Sequence, residues 1–595
     1  MPMQRFKLAL NQARFPMVPS WNPRSALIPQ LDVAPRSASR AFFGSEENAD
    51  FDVPQILYGE NFVPWSQGLK SVSYAKVVDG IPGAIDFDQV FPLRDEDENQ
   101  VLFSPSNGKN YILDEVLGWQ AHPLVPQWAA EAPPLYLSTA SPKNLETSQV
   151  TPAYVDGKTF VAYSNIALSL TNGGATKDAD GSIYLWNPAT KLLERVPNPT
   201  GTTDIIQNLD IPIGEIGGIS SAAGYLLVWS GLEIHWAPFD DEFTSSFDFD
   251  IYANGAITGS GHTIPEDIEG PITAIRPVSG GFIIFTDKNA IAAYYNANNK
   301  AYPWIFKGIS NCGGVESFEL TTREGTKGAI YAYTTGGVQQ ITLNTAESMS
   351  PDVTDFLGSR NLERFDLGTM NFTQGLATLE FFVKMTYVGN RFLVISYGTF
   401  PGVYSFALIW DSALLRWGKM RIAHRDAFLY TGKVEIVGLT YGMCLDVTYT
   451  EFAAVAYSDT EVASSGLTYP RQSLAFLLKD GTVKLAVMDF REKEDDSEAF
   501  VVLGRVQLSR SNNVALHCAE VEGLKNDGQQ FLRALHMPNG VDVVGYEEGF
   551  PRTQTPRYVE YGIDMLTGKN FGIVVKGTFQ LSTIVLHASP ESSTY

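Results

Sequence analysis

The sequence predicts an all-β protein: an irregular β-propeller with inserted loops, an extended N-terminal arm and a C-terminal β-rich segment. Three observations predict it. Short apolar runs recur in pairs around turns of Gly, Asp or Asn, which is how β-hairpins are written. These pairs begin near residues 181, 224, 281, 328, 390 and 473, roughly 40–80 residues apart, which accommodates blades of four short strands with inserted loops. Helical periodicity is thin: the best candidate, residues 350–357 (SPDVTDFL), offers Ser350 as N-cap and Pro351 at the first helical position of one short helix.

Residues 1–60 carry Pro2, Pro16, Pro19, Pro23, Pro29, Pro35 and Pro54 with no sustained period of 2 or 3.6. Such a segment reads as an extended arm, without structure of its own or laid over a neighbouring subunit. Residues 61–500 read as the propeller. Its hairpins include 181–196 turning at Asn187-Pro188, and 224–236 turning at Ser230-Gly231. Others are 281–295 turning at Asp287-Lys288-Asn289, 328–343 turning at Gly336-Gly337, the group at 390–420, and 473–488 turning at Asp480-Gly481. The first run of most pairs is apolar throughout (YLLVW, FIIF, LAFLL), as expected of a strand covered on both faces. Residues 501–595 bring longer alternating strands, either a closing blade or a small appended β-sandwich.

Composition agrees with a globular β protein. Of 595 residues 44% are hydrophobic and 12% aromatic, with 52 Gly and 33 Pro, the mixture that many short strands and turns require. There are 66 acidic against 43 basic residues, a formal net charge of −23. No cluster of Lys and Arg is present to displace counterions from phosphates, so a nucleic-acid-binding role is not expected. An acidic protein keeps itself soluble, and it can also stand beside DNA without adhering to it. Cys312, Cys444 and Cys518 are odd in number and far apart; reduced, buried thiols are expected, not a disulfide framework or a zinc site, and this suits assembly in a cytoplasm. The basic N-terminus lacks the apolar core of a secretory signal, and no apolar run is long enough to span a membrane.

The sequence offers no catalytic, cofactor-binding or metal-ligating residue, and no cofactor is expected. The histidines His122, His235, His262, His424, His517, His536 and His587 lack metal-pair spacing. His517 and Cys518 are adjacent, which in a strand sends them to opposite faces. Asp178 and Asp180 begin something like a calcium loop but lack its later acidic ligands. The acidic runs 95–98 and 494–496 read as solvated loops. Gly308-Ile309-Ser310-Asn311-Cys312 misses the final Gly of a nucleophile elbow. Phosphate-binding Gly-rich motifs are missing as well.

Several stretches resemble the tail nozzle, or tail tubular, propeller proteins of short-tailed bacteriophages. They are 53–74 (VPQILYGENFVPWSQGLKSVSY), 224–243 (GYLLVWSGLEIHWAPFDDEF), segments between 271 and 357 (PITAIRPVSGGFIIFTDKNAI, FKGISNCGGVESFEL, GAIYAYTTGGVQQITL, SPDVTDFL), 407–418 (ALIWDSALLRWG) and 571–586. The resemblance is one of strand endings and loops in order. It implies a structural virion protein, made in the host cytoplasm, that forms a homohexameric ring at the distal end of the tail below an adaptor ring. Such a ring contacts tail fibres or spikes and conducts genomic DNA through an acidic channel without specific binding or chemistry. Two other readings stay open at this point: a propeller adhesin whose surface Trp and Tyr stack on a host glycan, and a glycan-cleaving enzyme using a carboxylate pair.

Overall fold

The computed structural model describes residues 4–13, 15, 48–50, 55–78, 90–94, 100–106, 109–114, 118–122, 148–165, 182–189, 192–195, 205–211, 216–240, 245–253, 256–325, 328–349, 353, 357, 361–366, 370–378, 382–400, 402–435, 468–487, 498–508, 513–526, 531–538, 543–555 and 557–590.

The chain is a β-propeller arrangement of small antiparallel sheets, joined to a larger sheet system. In sequence order the small sheets start with Phe91–Arg94, Gln100–Ser106, Lys109–Asp114 and Gly118–His122. The next is Ser148–Val155, Lys158–Asn165, Ser182–Asn187 and Leu192–Arg195. Gly218–Ala222, Tyr225–Ser230 and Glu233–Asp240 follow, then Ile272–Val278, Gly281–Thr286, Ala290–Tyr295 and Trp304–Gly308. Ile330–Thr334, Gly337–Ile341 and Ala346–Ser348 come next, and then Phe382–Val388, Phe392–Gly398, Tyr404–Asp411 and Arg416–His424, four strands that stand at one end of the larger sheet.

The first strands pack against one another: Ser148–Val155 on Gly218–Ala222, that strand on Ile272–Val278, and Ile330–Thr334 on Phe382–Val388. The 3-10 turn Phe318–Leu320 touches Ile272–Val278, Ile330–Thr334 and Phe382–Val388 and bridges the step between them. First strands that meet face to face are what a ring of radial sheets produces. The second strand of each sheet is then covered on both sides, and Tyr225–Ser230, Gly281–Thr286 and Phe392–Gly398 are buried almost along their whole length. That is the physical source of the apolar runs in the sequence. The hairpin turns fall where expected or one residue away: Asn187 faces Leu192, Ser230 faces Glu233, and Thr334 faces Gly337.

The ring closes in a way that hairpin patterns do not announce. Asp426–Glu435, Thr468–Leu477 and Val483–Val487 take Ser73–Val78 as their fourth strand. Phe428, Tyr430, Leu477 and Leu485 of this closing sheet pack on Val90 and Leu102 of the first small sheet. The C-terminal segment therefore is not the closing blade. It belongs to a 16-stranded sheet that runs from Gln55–Glu60 through Ala499–Gln507, Asn570–Gly577, Phe531–His536, Gly545–Thr555, Tyr558–Gly568, Val514–Asn526 and Phe579–Pro590. The path continues into Gly68–Ser71 and Phe62–Trp65 and, through the Lys419–Phe62 pairing, reaches Arg416–His424 of the propeller.

The sequence reading lays residues 1–60 over a neighbouring subunit or leaves them without structure of their own; of these, residues 4–13, 15, 48–50 and 55–60 are described, and their strands pair within the chain. Gln4–Ala9 pairs antiparallel with Phe579–Pro590, and Gln55–Glu60 with Ala499–Gln507. Phe6, Leu8 and Leu10 are fully buried. In sequence, the seven prolines of residues 1–60 fall outside these strands, so the strands never need a ladder N–H from one. Asn61, in the left-handed region at φ 57°, turns the chain from Gln55–Glu60 into Phe62–Trp65, a conformation Asn tolerates better than most residues. One core joins Phe6, Leu8, Val501, Phe571 and Leu586 to Tyr331, Met385 and Leu408 of the propeller. Val353 and Leu357, both helical and buried in that core, lie in the segment read as a short helix.

Candidate functional site

The residues singled out in the sequence are mostly kept apart. His517 bonds Ser589 at 2.7 Å, His536 lies beside Phe571, and His122 ends an edge strand opposite Asn110. Cys518 is buried and Cys312 half-buried, and both are free thiols. Burial pushes the Cys312 thiol up to about 12 and the Cys518 thiol up to about 11. Thiols held protonated in this way are poor nucleophiles. Gly308–Cys312 follows a strand rather than opening a helix, and Cys312 packs beside a core cluster. Cys444, Asp178, Asp180 and the acidic runs at 95–98 and 494–496 lie outside the described residues.

Three polar clusters form that the sequence reading does not anticipate. The first sits where the ring closes. Lys384, on the first strand of one sheet, places Nζ 2.8 Å from Asp426 Oδ1 on the first strand of the closing sheet. The Val90 N–H donates to Asp426 Oδ2 at 2.8 Å, and Glu319 stands 3.8 Å from the ammonium. Burial pushes the Asp426 carboxyl up, opposed by the Lys384 charge. His424 is fully buried nearby: Nδ1 lies 2.8 Å from the Ile422 carbonyl and Nε2 2.7 Å from Ser396 Oγ. A carbonyl only accepts, so Nδ1 carries the proton and Nε2 accepts from the serine. Burial holds the imidazole down to about 4. These groups are enclosed and mutually satisfied, so they act as a lock between sheets.

The second cluster is on the Glu233–Asp240 strand. His235 faces His262 of Gly261–Thr263, and their rings stack at 5.2 Å. Glu233 bonds His262 Nδ1 and lies 3.6 Å from His235 Nε2. Burial lowers the His235 pKa, and the neighbouring His262 adds to this. The third cluster lies on the C-terminal sheet, where Glu520 accepts from Arg5 at 2.8 Å and contacts His587 Nε2 at 2.7 Å. Burial, then the Glu520 and Glu560 charges, pushes Tyr558 up to about 12. Strand register alone assembles these groups from distant segments. Among the described residues, no group of three or more His, Cys, Asp or Glu side chains is arranged to hold a metal ion, and no helix is long and apolar enough to cross a membrane.

Several cations are paired with carboxylates of the same chain. Arg391 forks onto Asp411 at 2.7–3.1 Å, Arg421 meets Glu60, Lys158 meets Asp156, and Arg533 meets Glu548. Half-buried Arg276 has no such carboxylate among the described residues. It stacks 3.4 Å from the Phe318 ring centroid and donates to the Phe318 and Thr321 carbonyls at 2.9 and 2.6 Å.

No family model and no curated protein matches the sequence. Among solved structures, the chain is similar to a streptogramin B lyase, at 8% identity and a TM-score of 0.31, covering 70% of this chain and 98% of that one. It is similar to the N-terminal domain of Nup159 at 10% identity and a TM-score of 0.29, covering 70% and 95%. It is also similar to a luciferin-regenerating enzyme at 9% identity and a TM-score of 0.27, covering 71% and 98%. These neighbours are propeller proteins.

Proposed function

We propose that this chain is a structural subunit of a short phage tail, a nozzle propeller that assembles as a ring of six and lets packaged DNA pass without gripping it. The observation that carries this reading is charge. The chain bears a net −23, and cations such as Arg5, Arg391, Arg421 and Arg533 are matched by its own carboxylates. A phosphate backbone is repelled at long range by such a net charge. The polar clusters also favour a mechanical role, because each is internally satisfied and none joins an accessible nucleophile to a base. An adaptor ring above and fibres or spikes beside it are the partners this role requires.

The test is electron microscopy of the purified full-length protein and of virions carrying a tagged copy, together with DNA retention on the protein at low salt. Six-fold rings, tag density at the distal tail and no DNA retention are expected. A strictly monomeric protein that is absent from particles would refute the reading, and so would a ring whose channel is lined by Lys and Arg.

A further inference from the structure

We propose that the C-terminal sheet system carries a saccharide-binding pocket between Trp65 and Tyr558. A cavity of about 310 Å³ opens there, where the Phe62–Ser71 hairpin meets three strands of the C-terminal segment. Its volume lies at the small end of ligand pockets and suits a single sugar unit. The walls are two half-buried aromatic residues, Trp65 and Tyr558. Gln67, Glu522, Arg557 and Ser582 complete the lining.

The pocket brings opposite charges together without pairing them. Glu522 and Arg557 line the same cavity, yet neither side chain forms an ion pair or hydrogen bond with any described residue. The Trp65 indole N–H and the Gln67 amide are equally free among the described residues. Elsewhere on this sheet Arg5 is taken by Glu520, and Arg552 lies 3.9 Å from Glu560.

The backbone beneath these free side chains is fixed. The Gly523 N–H donates to the Arg557 carbonyl at 2.9 Å, and Ser582 Oγ donates to the Glu522 carbonyl at 3.2 Å. The Arg416 guanidinium donates to the Trp65 carbonyl at 3.1 Å and the Gly68 carbonyl at 3.2 Å. Pinned walls carrying unsatisfied polar tips form a preorganised receptor.

Charge selects the ligand class. An inorganic anion would meet Glu522, and a cation would meet Arg557. An apolar ligand would strip water from both charges without replacing it. A neutral polyol ring avoids all three costs. Its C–H face lies on the Trp65 indole, Glu522 accepts from one hydroxyl, and Arg557 and Gln67 donate to its neighbours. On a tail subunit this pocket would hold one unit of a host-surface polysaccharide. The pocket belongs to a single chain and stands or falls independently of the ring.

The test titrates the full-length protein with the methyl glycosides of glucose, galactose, mannose and N-acetylglucosamine, by calorimetry and saturation-transfer NMR. Inorganic phosphate and glycine serve as charged probes. Glu522→Gln and Arg557→Gln are compared with wild type; both positions are exposed, so the thermal unfolding midpoint should not move. At least one glycoside is expected to bind in the millimolar range, and each variant to weaken it about tenfold or more, the loss of one charge-assisted hydrogen bond. The proposal is overturned if no glycoside binds at tens of millimolar, if both variants bind like wild type, or if only phosphate or glycine binds.

Discussion

Replacing His424 with phenylalanine is expected to weaken the protein at neutral pH yet make it less sensitive to acid. The wild-type imidazole is enclosed between Tyr404 and Phe476, and its folded-state pKa is held down to about 4, against about 6.5 in the unfolded chain. Above about pH 6.5 neither state carries the proton, and the group makes stability no function of pH. Between about 6.5 and 4 the unfolded chain takes up a proton that the folded protein refuses, so stability falls as pH falls. Below about 4 both states are protonated and the loss is complete, at about 3 kcal/mol, of which about 2 kcal/mol is already gone at pH 5. Phenylalanine has no proton to bind and removes that dependence. It also removes the contacts to Ser396 and Ile422, at about 1–3 kcal/mol. Urea unfolding of both proteins at about pH 7.5, 6 and 5, followed by tryptophan fluorescence, measures the difference. The variant should be the weaker at about pH 7.5, and the gap should narrow by about 2 kcal/mol at pH 5. A gap constant to within about 0.5 kcal/mol across that range would refute the reasoning.

Asp426→Asn takes away the carboxylate 2.8 Å from the buried Lys384 ammonium and leaves Glu319 at 3.8 Å. A loss of about 3–5 kcal/mol is expected in urea unfolding, and adding Lys384→Met should recover part of it because the stranded charge goes too. Phe6→Ala empties a fully buried site shared with the C-terminal strands; a loss of about 3–5 kcal/mol is expected, and limited proteolysis should cut first within residues 499–590. A Cβ at Gly68 would sit 1.8 Å from the Leu581 carbonyl oxygen, whereas at Gly157, φ +68°, it meets nothing within 4 Å. Thermal unfolding should therefore show Gly68→Ala to be much the worse, because it pushes the hairpin off the last strand, while Gly157→Ala costs about 1 kcal/mol of backbone strain.

The propeller was legible because burial on both faces leaves a mark on local sequence. FIIF and YLLVW are middle strands, and their apolar runs state as much. The N-terminal strand left a fainter mark. In QRFKLA, Phe6 and Leu8 point inward between Arg5 and Lys7, a correct alternation too short to stand out beside the prolines that follow. Nothing local in SYAKVV tells that it completes a sheet with residues 426–487. Partner choice between strands lies in register and not in composition. The clusters were hidden for the same reason. His235 and His262 meet only because Ile234–Trp236 pairs with Gly261–Thr263. Trp65, Glu522, Arg557 and Ser582 share a cavity only after separate segments have closed around it.

The pairing of Gln4–Ala9 with Phe579–Pro590 also sets a clock. A ribosome adding about 5–20 residues per second needs roughly half a minute to two minutes to make the about 570 residues between them. Throughout that time Gln4–Ala9 has only the three-residue strand Asn48–Asp50 to pair with, and Phe6 and Leu8 lack the C-terminal side chains that complete their core. The propeller sheets, whose neighbours are close in sequence, can form meanwhile, but Ser73–Val78 too must wait for Val483–Val487. A nascent chain of this protein is therefore expected to occupy chaperones until synthesis has passed its final strand.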